Sequence, residues 1–139
     1  MNKGKTPGSN IDCGIHRLPA SDADLRSVSA ARGYTWIDMS LSAAADKAEL
    51  LRRFDDALKC PPGFGHNWDA LADALQDLSW LPGQGAVIAF RDVDVYARRC
   101  PGDWNTLRSI LDESVDFWRR QRRTFMVLLD AGHHSSWEP

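Results

Sequence analysis

The chain has 139 residues, of which 43% are hydrophobic and 26% are charged, and its formal net charge is -2. These values are typical of one soluble globular domain, long enough to bury a core without disulfides or metals. They exclude a surface that is basic throughout, as general nucleic-acid binding would require. No apolar run reaches the length of a membrane span.

The cysteines and the N-terminus favour a cytoplasmic protein. The three cysteines are an odd number without metal-type spacing, which predicts free thiols in a reducing compartment: Cys13, Cys60 and Cys100. Residues 1–12 are rich in Gly, Pro, Ser and Lys and are predicted to form a flexible tail. They contain no hydrophobic stretch, so we expect no secretory signal peptide.

Strand and helix patterns alternate in the first half of the chain. The predicted elements are, in order, a strand at 14–18, a helix at 21–30, a strand at 34–39 and a helix at about 46–59. Ser21 is the predicted N-cap of the first helix, with Asp24 at its third position, and Gly33 ends that helix. Pro61 and Pro62 stop the second helix.

The second half of the chain continues this alternation. The predicted elements are a helix at 68–78, a turn at 80–85, a strand at 86–90, a short helix at 93–99, a long helix from 103 to about 122, a strand at 124–129 and a tail at 132–139. Both strands are continuous apolar runs, as in strands buried on both faces of a sheet. The long helix is expected to bury one set of side chains: Trp104, Leu107, Ile110, Leu111 and Trp118. The whole pattern predicts an α/β fold in a single domain at 13–131, with a parallel β-sheet of three to four strands flanked by helices.

The helix predicted at 68–78 has a divided surface. Asn67 suits its N-cap, because its side-chain oxygen can accept the backbone N–H of Ala70. One face carries apolar residues: Trp68, Leu71, Leu75 and Leu78. The opposite face carries an aspartate at every fourth position: Asp69, Asp73 and Asp77. Like charges at this spacing repel one another, so the face favours a positively charged partner, although many charged helix faces are simply solvated.

No motif for catalysis or metal binding is recognisable. No local signature connects a cysteine with a histidine, and Gly83-Gln84-Gly85 lacks the third glycine of a phosphate-binding loop. His133 and His134 would need metal ligands from elsewhere in the chain. We therefore predict no enzymatic activity, no cofactor and no metal site.

The arginine-rich segment 119–123 has two interpretations. Four arginines in five residues are compatible with nucleic-acid binding. They also lie at a predicted helix C-terminus, where cations are favoured, and Asp116 is placed to pair with Arg119 or Arg120. No aromatic residues are interleaved, so we favour the second interpretation. Asp112 and Glu113, on the same helix, are candidates for a secondary acidic contact.

The segment from Leu50 to Asp73 resembles the barstar family, cytosolic inhibitors that bind and block ribonucleases. The family pattern is a hydrophobic helix, a proline, a Gly-aromatic loop and then Asn-apolar-Asp-Ala-Leu with a second acid four residues after the first. Here the corresponding segments are Leu50–Leu58, Pro61-Pro62, Gly63-Phe64-Gly65-His66 and Asn67-Trp68-Asp69-Ala70-Leu71-Ala72-Asp73. The resemblance continues more weakly to about Asp130, so the βα unit predicted at 14–32 is an N-terminal extension of the family fold.

The resemblance implies a function and a set of contact residues. Asp73 matches the family's dominant contact acid, Asp69 matches the second acid, and Gly65, Asn67 and Trp68 match loop and helix-start contacts. With their neighbours they give the expected partner-binding set: Gly65, His66, Asn67, Trp68, Asp69, Asp73, Gln76 and Asp77. The implied partner is a basic ribonuclease or nuclease toxin, blocked by the acidic helix without direct nucleic-acid or membrane binding. The implied role is that of a bacterial immunity or toxin–antitoxin protein, a monomer when free.

Two positions depart from the family pattern. Gly63 stands where the type member has an aromatic contact, and Ala72 replaces a helix tryptophan. Partner identity therefore stays open, even where the binding mode is shared. The alternative is a regulatory or scaffold domain of the same fold that binds another basic protein, and an unrelated enzyme ranks third.

Overall fold

The computed structural model describes residues 13–130. In chain order the elements are β1 (Gly14–Arg17), α1 (Ala23–Ala31), β2 (Tyr34–Ser40), α2 (Lys47–Leu58), α3 (Trp68–Leu75), β3 (Gly85–Arg91), α4 (Val93–Arg99), α5 (Pro101–Arg120) and β4 (Thr124–Leu129). The tails predicted at 1–12 and 132–139, with His133 and His134, lie outside the described residues.

Four parallel strands form one sheet in the order β1-β4-β3-β2. Val127 of β4 pairs with Ile15 of β1 on one side and with Ile88 of β3 on the other, and Ile88 pairs with Ile37 of β2. The predicted α/β fold, a parallel sheet flanked by helices, is confirmed. Nearly all of β3 and β4 is buried, as their continuous apolar runs predicted.

Helices cover both faces of the sheet. α1 connects the edge strands β1 and β2 and covers one face, where Leu25 packs in a small cluster with Leu18, Val87, Ala89, Met126 and Leu128. The other four helices cover the opposite face, in a larger cluster that includes Leu50, Leu71, Phe90, Leu107 and Val127. Alternate residues of β3 enter different clusters because side chains alternate across a strand.

Two helices begin at other residues than predicted. α1 starts at Ala23 after Asp22, so Ser21 is not its N-cap residue, although the Ser21 hydroxyl accepts a long 3.4 Å bond from the Ala23 N–H. α5 starts at Pro101, two residues before the predicted start at 103, and ends at Arg120. Proline fits the first position of a helix because the N–H there has no intrahelical acceptor.

None of the helices within residues 13–130 is long and apolar enough to span a membrane.

Candidate partner-binding surface

The loop before α3 is fastened to α2. Lys59 ends α2 in a left-handed conformation with φ of 53°, which turns the chain away from the helix axis. Further along the loop, His66 Nε2 lies 3.0 Å from Asp55 Oδ2 on α2. The His66 ring also meets the Phe64 ring edge-on at 5.3 Å between centroids. These contacts fix the conformation of the loop beside α3. No pattern in the sequence linked Asp55 with His66.

Asn67 caps α3 as predicted. Its Oδ1 accepts a 2.8 Å hydrogen bond from the N–H of Ala70, and its backbone is extended, as an N-cap requires. The Asn67 N–H in turn donates to the carbonyl oxygen of Gly65 at 2.6 Å. A side chain at Gly65 would come within 3.3 Å of Asn67 Nδ2, so the loop fits closely around the cap.

The acidic face, defined as Asp69 and Asp73 of α3, is open to solvent. Both residues are exposed, and neither carboxylate has an ion pair or hydrogen bond with another residue of the described range 13–130. Other acids are paired, for example Asp38, whose Oδ2 lies 2.8 Å from Arg26 Nη1. The two α3 carboxylates are therefore available to an external partner.

Asp77 is not part of this helix face, and the predicted helix over 68–78 is wrong at its end. α3 ends at Leu75, and Leu78 is left-handed with φ of 52°. Asp77 Oδ1 accepts from the Ser79 N–H at 3.3 Å, so the aspartate favours a turn over another helical turn. Asp77 remains exposed and lines a depression of about 330 Å³.

Two members of the predicted contact set are only partly accessible. Trp68 is half-buried and packs against the large core cluster, with Lys47 Nζ 5.9 Å from its ring centroid. Gln76 is half-buried at the C-cap of α3. The four remaining members outside the acidic face are exposed: Gly65, His66, Asn67 and Asp77.

The C-terminal end of α3 is held by a tryptophan of another helix, α5, which the sequence analysis did not connect with α3. Trp118 of α5, predicted to be buried, is half-buried, and its Nε1 donates to the Leu75 carbonyl oxygen at 2.7 Å. Trp80 does the same for α2, where its Nε1 donates to the Leu58 carbonyl oxygen at 2.8 Å. Neither contact could be inferred from sequence spacing.

Metal-binding side chains are not gathered within residues 13–130, and burial makes one of the three thiols unreactive. No cluster of three His, Cys, Asp or Glu side chains lies in that range. The three cysteines are free thiols. Burial, with a contribution from Asp55, raises the pKa of Cys60 to about 11, which keeps this thiol protonated and a poor nucleophile at neutral pH.

Within residues 13–130, the fold and this surface define an α/β domain with a parallel sheet and five helices, one of which presents the acidic face. The model of one protein family, described as barstar (barnase inhibitor), matches residues 34–130. The chain belongs to the barstar family. The match begins at Tyr34, the first residue of β2, so β1 and α1 precede it. A search of curated proteins found no match. The family consists of inhibitors, which implies a protein partner such as a ribonuclease.

Proposed function

We propose that this chain inhibits a basic ribonuclease by placing the acidic face against the nuclease active site. The observation that carries the proposal is that Asp69 and Asp73 are exposed and unpaired within residues 13–130. A ribonuclease site that binds RNA phosphates is lined with cationic groups. Two carboxylates one helical turn apart can occupy phosphate positions there and make charge-assisted hydrogen bonds.

The support around α3 favours this use of the two acids. The Asn67 cap fixes the start of the helix, and the bond from Trp118 fixes its end. The His66–Asp55 contact holds the adjoining loop. A surface that is already ordered loses less conformational entropy on binding, so more of the interaction energy appears as affinity.

Truncation of one partner in a buried charge pair costs about 2–5 kcal/mol or more, because the other charge is left unpaired. Barnase–barstar is itself the system in which such charge-pair energies were measured, so this magnitude is a family expectation.

We further propose that the chain has no enzymatic activity of its own and acts as a cytoplasmic immunity protein against a nuclease toxin.

The test is capture of the partner on the immobilised chain, identification by mass spectrometry, and a ribonuclease assay on the captured protein in pure form. We expect the wild-type chain to abolish RNA cleavage at a one-to-one ratio. The double variant Asp69→Ala/Asp73→Ala should leave cleavage largely intact. Asp24→Ala is the matched control, because it removes an exposed acid from α1, outside the family match, and should inhibit like wild type.

Other outcomes separate the alternatives. A captured basic protein without nuclease activity would favour a regulatory or scaffold role. A captured ribonuclease that stays active at saturating inhibitor would contradict the proposal. RNA, peptide or ester hydrolysis by the pure chain, lost on mutating a single Cys or His, would overturn its assignment as a non-enzyme.

A further inference from the structure

A second charged feature lies where α5 ends and β4 begins. Three arginines line an open depression of about 250 Å³, together with Cys13 and Thr124. We call this depression, with Arg119, Arg122 and Arg123, the arginine pocket. The sequence predicts these side chains as cations at a helix C-terminus, but it does not predict that they line a concave site.

Two of the three arginines are held in place by backbone carbonyl groups. Arg119 Nη2 donates to the Cys13 carbonyl oxygen at 3.3 Å, and Arg123 Nη2 donates to the Gly83 carbonyl oxygen at 3.2 Å. The Arg123 guanidinium also lies 5.8 Å from the Trp118 ring centroid. Carbonyl groups and rings orient a guanidinium without cancelling its charge, so both groups are pre-positioned cations.

The Gly83 turn, whose carbonyl oxygen accepts the bond from Arg123, packs closely against its neighbours. Gly83 has φ of +95°, and a Cβ there would lie 2.4 Å from the Gly33 carbonyl oxygen. Any other residue would have to displace backbone, so this position requires glycine. Thr35 fastens the same turn, because its hydroxyl donates to the Pro82 carbonyl oxygen at 2.5 Å.

The charge of the pocket is incompletely neutralised. Asp116 pairs with Arg119 at 3.0 Å, as the spacing predicted. Arg122 is exposed in a left-handed conformation with φ of 60° and has no ion pair or hydrogen bond from its side chain within residues 13–130. The pocket therefore has three arginines, and among the ion pairs that they form within residues 13–130 the single acid is Asp116.

Most carbonyl groups in the last turn of α5 already have hydrogen-bond partners. Three carbonyl groups of its last turn accept backbone N–H groups: Phe117 from Gln121, Trp118 from Arg123 and Arg119 from Arg122, each at 3.1 Å. The partial charge at a helix C-terminus resides on carbonyls without such partners. These bonds reduce the negative partial charge that an anion in the pocket would meet.

We propose that the arginine pocket binds the terminal phosphate group of a small molecule. A guanidinium fork matches two phosphate oxygens at once, and a terminal phosphate offers three oxygens and close to two negative charges. A protein carboxylate offers only two oxygens and one charge, which is too few acceptors to pair with three guanidinium groups. The pocket is also local, whereas proteins that follow a nucleic-acid backbone need an extended basic groove. The proposal is independent of ribonuclease inhibition.

The test is an amide NMR titration of the free full-length chain, with ionic strength held constant by sodium chloride. The probes are inorganic phosphate, adenosine monophosphate, a uridine oligonucleotide without a terminal phosphate, and a glutamate peptide. We expect phosphate and adenosine monophosphate to shift the amides around Cys13 and residues 119–124. The tighter of these two probes identifies free phosphate or a phosphate ester as the source, and either result supports the site.

The variants separate a pocket from a charged helix end. Arg119→Ala and Arg122→Ala should each weaken phosphate binding about tenfold, the loss of one charge-assisted pair. Arg120→Ala removes the same charge from the same helix end outside the pocket and should change affinity less than about twofold. Equal losses in all three variants, tighter binding of the oligonucleotide or the peptide, or no shifts with phosphate would each overturn the proposal.

Discussion

Trp118 Nε1 donates a 2.7 Å hydrogen bond to the Leu75 carbonyl oxygen and so joins the end of α3 to α5. α3 has only eight residues, too few for a stable helix without tertiary contacts. Its last carbonyl groups have no partners within the helix itself. The indole supplies one partner and packs against the core beneath, which fixes the direction in which α3 presents its acidic face.

Trp118→Phe should therefore destabilise the fold while keeping most of the apolar packing. We expect a loss of about 1–3 kcal/mol in the free energy of unfolding, because the Leu75 carbonyl loses its partner in a half-buried site. Urea denaturation followed by circular dichroism measures the loss. Arg120→Ala is the control and should stay within about 0.5 kcal/mol of wild type. Equal stability of both variants would mean that the indole bond contributes nothing.

The two ends of α3 show what the sequence could and could not predict. Asn67 and Ala70 are three residues apart, and a capping interaction of that range is encoded locally. The other end depends on Trp118, which lies 43 residues from Leu75. Apolar spacing extended the predicted helix to Leu78, because periodicity does not report the left-handed turn that Leu78 adopts.

The N-terminal extension should fold together with the family region. Leu25 of α1 is 6% exposed and packs against β3 and β4. Leu25→Ala should reduce the free energy of unfolding by about 2–5 kcal/mol through loss of apolar contact and a residual cavity. A single urea transition with a lowered midpoint is the expected result. If the extension were independent, the main transition would keep its midpoint.

An ion-pair network joins the extension to the sheet and should make stability depend on pH. Burial raises the pKa of the Asp38 carboxyl, but the interaction with Arg26, together with contributions from Trp36 and Arg91, outweighs this effect, so the pKa lies below the ordinary 3.8. Arg91 also bonds Asp22 at the start of α1. A carboxyl whose pKa is lowered by folding stabilises the fold above its unfolded pKa, and this contribution disappears as the pH falls through the folded value.

Asp38→Asn should therefore be less stable than wild type at neutral pH, and the difference should shrink below about pH 4. The effect will be modest, since the Asp38 side chain is 42% exposed and solvent screens the pairs. Urea denaturation of both proteins across this range gives the comparison. A difference that stays constant with pH would show that the charge of Asp38 does not contribute.

This network also explains why the role of the extension could not be predicted. The sequence indicated a strand and helix before the family pattern, and the structure has both. Arg26 and Asp38 are twelve residues apart, and Arg91 and Asp38 are 53 apart. Charged residues at such separations carry no local signal, so only the folded sheet reveals that they meet.

Association with the proposed nuclease partner should slow as salt is added. Attraction between the acidic face and a basic active site acts over the Debye length, which is about 8 Å at physiological ionic strength and longer at low salt. Stopped-flow association rates should fall several-fold between these conditions, while dissociation changes less. The Asp69→Ala/Asp73→Ala variant should show a flatter dependence. Rates that do not vary with salt would place the partner on another surface.

Asp73 and Leu75 should show opposite effects on stability and binding, although they lie only two positions apart. Asp73 is exposed, so Asp73→Ala loses no core contact, introduces the better helix former and relieves repulsion from Asp69. Its thermal midpoint should equal or slightly exceed that of wild type, while nuclease binding falls by about 2–5 kcal/mol. Leu75 is fully buried, so Leu75→Ala should lose about 2–5 kcal/mol of stability. Calorimetry for binding and for unfolding measures both quantities. If Asp73→Ala unfolds the chain, or binds within about threefold of wild type (under ~1 kcal/mol), the acidic face is not the inhibitory surface.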